Sequence, residues 1–99
     1  MQVKLTSTAR RRYREALKFY SGYMTEREVG EVAHRIREGL VFLRSFPKAG
    51  PYEDRIRSKK YRYRKWIVGK LKIVYRVKGE VIWVTDFFDG RQDPRSMKG

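Results

Sequence analysis

No cysteine occurs anywhere in the 99 residues. Disulfides and thiolate-ligated zinc are therefore excluded, and a reducing compartment is the simple expectation. Histidine is nearly as scarce, and His34 by itself cannot assemble a metal site. No cofactor is expected. Long apolar runs are missing too, with nothing near the roughly 20 residues of a membrane span. The first residues, MQVKLTSTARRR, carry their charges behind the apolar positions, which is the wrong order for a signal peptide. The expectation is a cytoplasmic protein with no membrane partner. Carboxylates are the last shortage: 11 Asp and Glu stand against 25 Lys and Arg, for a net charge of +14.

That shortage is local. Between Arg55 and Lys78 there are eleven Lys and Arg and no Asp or Glu, so this stretch supplies +11 of the +14. The remainder of the chain holds fourteen basic and eleven acidic residues. A field so concentrated attracts a phosphate backbone or an acidic protein and speeds the encounter with either. A sheet surface gains nothing from such self-repulsion, so a neutralising partner is the economical explanation. With 40% apolar and 14% aromatic residues, the chain nonetheless has the means to bury a core. Its length suits one domain, 1–99.

Periodicity then orders the chain. QVKLTS alternates and reads as a first strand with Val3 and Leu5 on one side. Ser7 or Thr8 caps a helix to about Tyr20, whose stripe is Ala9, Tyr13, Ala16, Leu17 and Tyr20. Thr25 and Glu28 form the signature of a capping box for a second helix. Its stripe is Val29, Val32, Ala33, Ile36, Leu40 and Leu43, and Pro47 ends it. His34 falls off that stripe and reads as exposed. FPKAGPYEDRIRSKK shows no period and reads as a surface loop. Three strands follow, YRYRKWIV, KLKIVYRV and EVIWVTDFF, with turns at Gly69 and Lys78-Gly79. The tail DGRQDPRSMKG is polar, and Pro94 is expected to end regular structure.

The fold class is therefore α+β in the order β-α-α-β-β-β. Two N-terminal helices pack on one face of a small, mostly antiparallel four-stranded sheet, and the other face is left open. Along KLKIVYRV, Leu71, Ile73, Tyr75 and Val77 should meet the helices, while Lys70, Lys72, Val74 and Arg76 look out. In YRYRKWIV both alternating sets mix polar with apolar, so either Arg62 and Arg64 or Lys65 joins the open face. Trp66 and Trp83 read as core or sheet-edge packing. Cations interleaved with aromatics suit RNA or single strands.

The element order, together with YRKWIVGKLKIVYRV and VIWVTDFFDGRQDP, resembles the RelE/ParE superfamily of toxins from type II toxin–antitoxin modules. The likeness covers nearly the whole chain. DGRQDP is similar to the HGRQDP-type ending of ParE-like members, with Asp89 in place of His. The resemblance implies one of two mechanisms, messenger RNA cleavage at the ribosome (RelE-like) or poisoning of DNA gyrase (ParE-like). Under the nuclease alternative the catalytic residues are Lys72, Arg91 and Lys65, with Arg64 as rival to Lys65. RelE-like toxins also use a Tyr or His near the C-terminus, and QDPRSMKG after Arg91 has neither. A lysine can replace it only if crowding by other cations depresses its pKa.

The chain is thus expected to be a plasmid-stabilisation toxin closer to ParE than to RelE. Its partners are a cognate acidic antitoxin and DNA gyrase, the alternative target being the ribosome and its messenger RNA. A non-toxic RNA-binding module is the further alternative. Arg62, Arg64, Lys70 and Arg76 are the candidates for nucleic-acid or target binding. Arg91 is expected to pair with Asp89 or Asp93 and hold the tail.

Overall fold

A computed structural model describes residues 1–99. Four strands and two helices follow the expected order: β1 (Gln2–Leu5), α1 (Ser7–Ser21), α2 (Glu26–Ser45), β2 (Arg64–Val68), β3 (Leu71–Lys78) and β4 (Val81–Asp89). The fold is α+β, and the sheet order is β1-β4-β3-β2. β2, β3 and β4 pair antiparallel through short turns, whereas β1 lies parallel to β4 and needs the helices as its crossover. Gly69 and Gly79 carry φ of +57° and +58° in the two turns, a left-handed conformation that side chains resist. No helix is long and apolar enough to cross a membrane.

Both helices bury the stripes their spacing predicts. Ala9, Ala16 and Tyr20 of α1 meet Ile36 and Leu43 of α2 over Leu71, Ile73, Tyr75, Ile82, Val84 and Phe87 of the sheet. The capping box at Thr25 and Glu28 is present with both hydrogen bonds. At α1, however, the cap is Thr6 rather than Ser7 or Thr8. Its hydroxyl accepts the Ala9 N–H and also donates to the Thr85 carbonyl, so one side chain starts the helix and ties it to β4. Gly39 sits where α2 crosses β2, and a Cβ there would press on Trp66 and Val68 at 3.3–3.4 Å.

The second sheet face departs from expectation: it is not open throughout. The loop before β2 and the C-terminal tail fold over half of it, and Tyr63, Val74, Phe88 and Met97 form a second buried cluster flanked by Ile56 and Tyr61. The tail is not irregular either, because Pro94 begins a 3₁₀ turn, Pro94–Ser96, capped by Asp93. Proline's fixed φ suits the first position of such a turn. Beyond that turn the Lys98 N–H binds Asp86, Thr85 binds the Lys98 carbonyl, and Arg12 reaches the Ser96 carbonyl. The register left open in the sequence is now settled: Lys65 is opposite Val74 and shares its outer face, while Trp66 and Val68 face the helices.

Candidate functional site

Two separate constellations hold four of the residues that the sequence singles out, Lys72 and Lys65 in one and Arg91 and Lys70 in the other. The first is built around Glu53, whose side chain is 1% exposed. The loop carries it onto the outer face, where the Glu53 N–H binds the Tyr63 carbonyl and the Lys65 N–H binds Pro51. Lys72 Nζ donates to its carboxylate at 2.6 Å, Lys65 Nζ stands at 3.8 Å, and the Arg55 N–H adds a third contact at 3.1 Å. Burial pushes the Glu53 carboxyl up, but the Lys72 hydrogen bond, the Arg55 N–H and the two lysine charges outweigh it. The net shift is downward, and the carboxylate form prevails. Lys72 and Lys65 are thus brought together, as donors to one buried anion. An ammonium donating to a carboxylate has no lone pair to offer a 2′-hydroxyl.

The second constellation lies on the helix side, where β4 leaves the sheet. Asp89 is 5% exposed. It accepts the Arg91 N–H at 2.8 Å and the Arg91 guanidinium, while its own N–H donates to the Gln92 side chain. The Arg91 guanidinium carbon then lies over Phe19 of α1, 3.3 Å from the ring centroid. A cavity of about 340 Å³ opens beside them, lined by Phe19, Tyr20, Tyr23, Lys70, Asp89, Gly90 and Arg91. Burial, followed by the Asp89 charge, raises the Tyr20 phenol above its usual range. Arg91 and Lys70 therefore meet at an aromatic cavity, on the opposite face of the sheet from Lys72 and Lys65; Lys70 does not look out beside Lys72 as expected, because it lies in the turn before β3 begins. Asp93 takes no part in holding Arg91; it pairs with Arg95.

The remaining candidates divide between structure and exposure. Arg64 donates to the Lys48 and Gly50 carbonyls and to the Tyr52 hydroxyl, which stitches the loop to β2. Arg62 and Arg64 both lie over the Tyr52 ring, at 3.6 and 4.2 Å, and only Arg62 is exposed. Arg76 lies over Tyr61 at 3.9 Å. His34 is exposed as expected and meets Glu38 one turn on. Sequence reasoning missed Glu53 and Tyr52, which sit in the loop without periodicity, and it placed Tyr61 in a strand that starts only at Arg64. The signal that could have found Glu53 is its position, in the last acidic pair before a long run of cations.

A family of known sequences matches residues 3–94, described as "ParE toxin of type II toxin-antitoxin system, parDE". No curated protein matches the chain. Among solved structures, a chain of the chromosomal ParDE toxin–antitoxin system from P. aeruginosa superposes with a TM-score of 0.71 at 17% identity. The match covers 90% of this chain and 95% of that one, which shows a common fold. With the family match spanning nearly every residue from β1 to the last turn, this chain belongs to the ParE toxin family of type II toxin–antitoxin systems.

Proposed function

We propose that the protein inhibits growth by poisoning DNA gyrase and is neutralised by an acidic antitoxin. The observation that carries this reading is family membership over residues 3–94, with the ParE-like ending Asp89–Pro94 inside the matched stretch. The site geometry supports a poison that binds rather than one that cuts. RNA cleavage needs a base, a cation and an acid around one phosphate. Here Lys72 and Lys65 share Glu53 on one face, Arg91 lies over Phe19 on the other, and neither Tyr nor His follows Arg91.

On this reading the target surface is the cavity end, where Lys70 and Arg91 rim three aromatic side chains. Aromatic and Arg side chains that already touch one another give binding energy at small ordering cost. The net charge of +14 favours an acidic antitoxin and a fast encounter with it. The test pairs two assays: gyrase supercoiling with purified protein, and mapping of messenger RNA ends in cells expressing it. Stabilised gyrase–DNA cleavage with intact messages is expected. Codon-register cuts with gyrase unaffected would overturn the proposal in favour of the ribosome. Among variants, Arg91→Ala is expected to weaken gyrase inhibition tenfold or more, while Lys72→Met leaves it intact in folded protein.

A further inference from the structure

We propose a second activity, binding of single-stranded nucleic acid, on the outer sheet face where Lys60 and Tyr61 of the loop border the part it leaves uncovered. Three strands set Lys4, Trp83 and Arg76 side by side, because Trp83 is the register partner of both Lys4 and Arg76. Lys4 Nζ lies 5.6 Å from the Trp83 ring centroid. The Arg76 guanidinium lies 3.9 Å from Tyr61, and Lys60 Nζ lies 5.3 Å from the same ring. Read across the sheet, the strip runs cation, ring, cation, ring, cation. Lys78 stands two residues beyond Arg76 on the same face.

These cations are unspent. Lys65, Lys72, Arg12 and Arg91 each face a buried carboxylate, whereas Lys4, Lys60, Arg76 and Lys78 have no ion pair. Arg76 Nη1 is buried with no acceptor, a deficit that a phosphate oxygen entering beside Tyr61 would fill. An acidic peptide would be satisfied by the cations alone. Rings at every second place fit a polymer whose anionic groups alternate with flat π faces, and a duplex keeps those faces stacked on one another. The two lysines have flexible stems and can leave a ring for a phosphate when a base lands on it.

This activity is additional to the proposed action on gyrase, and its test contains no gyrase. The purified full chain is titrated by fluorescence anisotropy at about 0.15 M salt. The probes are labelled oligothymidylate, labelled oligouridylate, a mixed-sequence duplex and polyglutamate. Both single strands should bind more tightly than the duplex or polyglutamate, and the tighter of the two identifies DNA or RNA as the source of the strand. Arg76→Ala should weaken binding tenfold or more and reduce the salt slope by about 0.7, the share of one phosphate. Tyr61→Ala and Trp83→Ala should each cost about fivefold or more, and Arg37→Ala on the exposed side of α2 should cost nothing. If Trp83→Ala does not fold, Tyr61→Ala alone carries the ring test, and Lys4→Ala, a change at an exposed side chain, should cost only the share of one cation. Equal binding of duplex and single strand, preference for polyglutamate, or indifference to the loss of the rings overturns the proposal.

Discussion

Two buried carboxylates with opposite titration behaviour govern the molecule at the scale of single residues. Glu53 is held below the 4.5 of a free glutamate by Lys72, Arg55 and Lys65 against the pull of burial. Its contribution to stability is therefore present above that value and lost as pH falls through the lower folded value. Glu53→Gln should cost about 2 kcal/mol at neutral pH and flatten the acid limb of a urea-denaturation series. Asp86 goes the other way: burial raises it, and the Lys98 N–H and Arg12 only partly offset this. Its stabilising share is full below the value of a free aspartate and lost as pH rises through the folded one. Arg12 Nη1 and Asp86 Oδ1 stand 3.6 Å apart, each without a hydrogen-bond partner. Either Arg12→Met or Asp86→Asn alone should cost about 3 kcal/mol by stranding the other group, while the double variant should cost much less than the sum. Denaturant midpoints for the three proteins check this.

At the scale of elements, what was legible depended on period. The stripes of α1 and α2 and the inward set Leu71, Ile73, Tyr75 and Val77 recur every 3.6 or 2 residues, and each packs where that spacing puts it. In β2 the pattern fails because Lys65 must reach Glu53 on one face while Arg64 is drawn to loop carbonyls. The loop and tail were illegible for a different reason. Their burial comes from tertiary docking of Tyr63 and Met97 onto Val74 and Phe88, which no local pattern announces. In the candidate site, the pairing of Arg91 with Asp89 is legible in the sequence, whereas Glu53, which holds Lys72 and Lys65, is not. The tail's docking can be measured, since Met97→Ala should lose about 2 kcal/mol. It should also speed amide exchange at Lys98, whose N–H is held by Asp86. Thr25→Ala should cost about 1 kcal/mol through the capping box. In a domain of this size that is about 4–8 °C in Tm by calorimetry.

For the whole molecule, charge and topology set the remaining behaviour. A net +14 on 99 residues is self-repulsive, so added salt should stabilise the free protein while slowing its association with any acidic partner. Raising sodium chloride from about 0.05 to 0.3 M is expected to raise Tm and lower the association rate together. Calorimetry and stopped-flow mixing read the two.

The parallel pairing of Gln2–Leu5 with Val81–Asp89 has a consequence for synthesis. The first strand to leave the ribosome has the last strand as its only partner, and Thr6 and Arg12 wait for Thr85, Asp86 and Ser96. Through most of translation the nascent chain holds two helices whose apolar stripes have no sheet to cover. A product cut short before Val81 can complete neither the sheet nor the Glu53 and Asp89 constellations, since Asp89 itself is absent and β3 lacks its neighbour. On this topology, either constellation is complete only in chains that have run past the last strand.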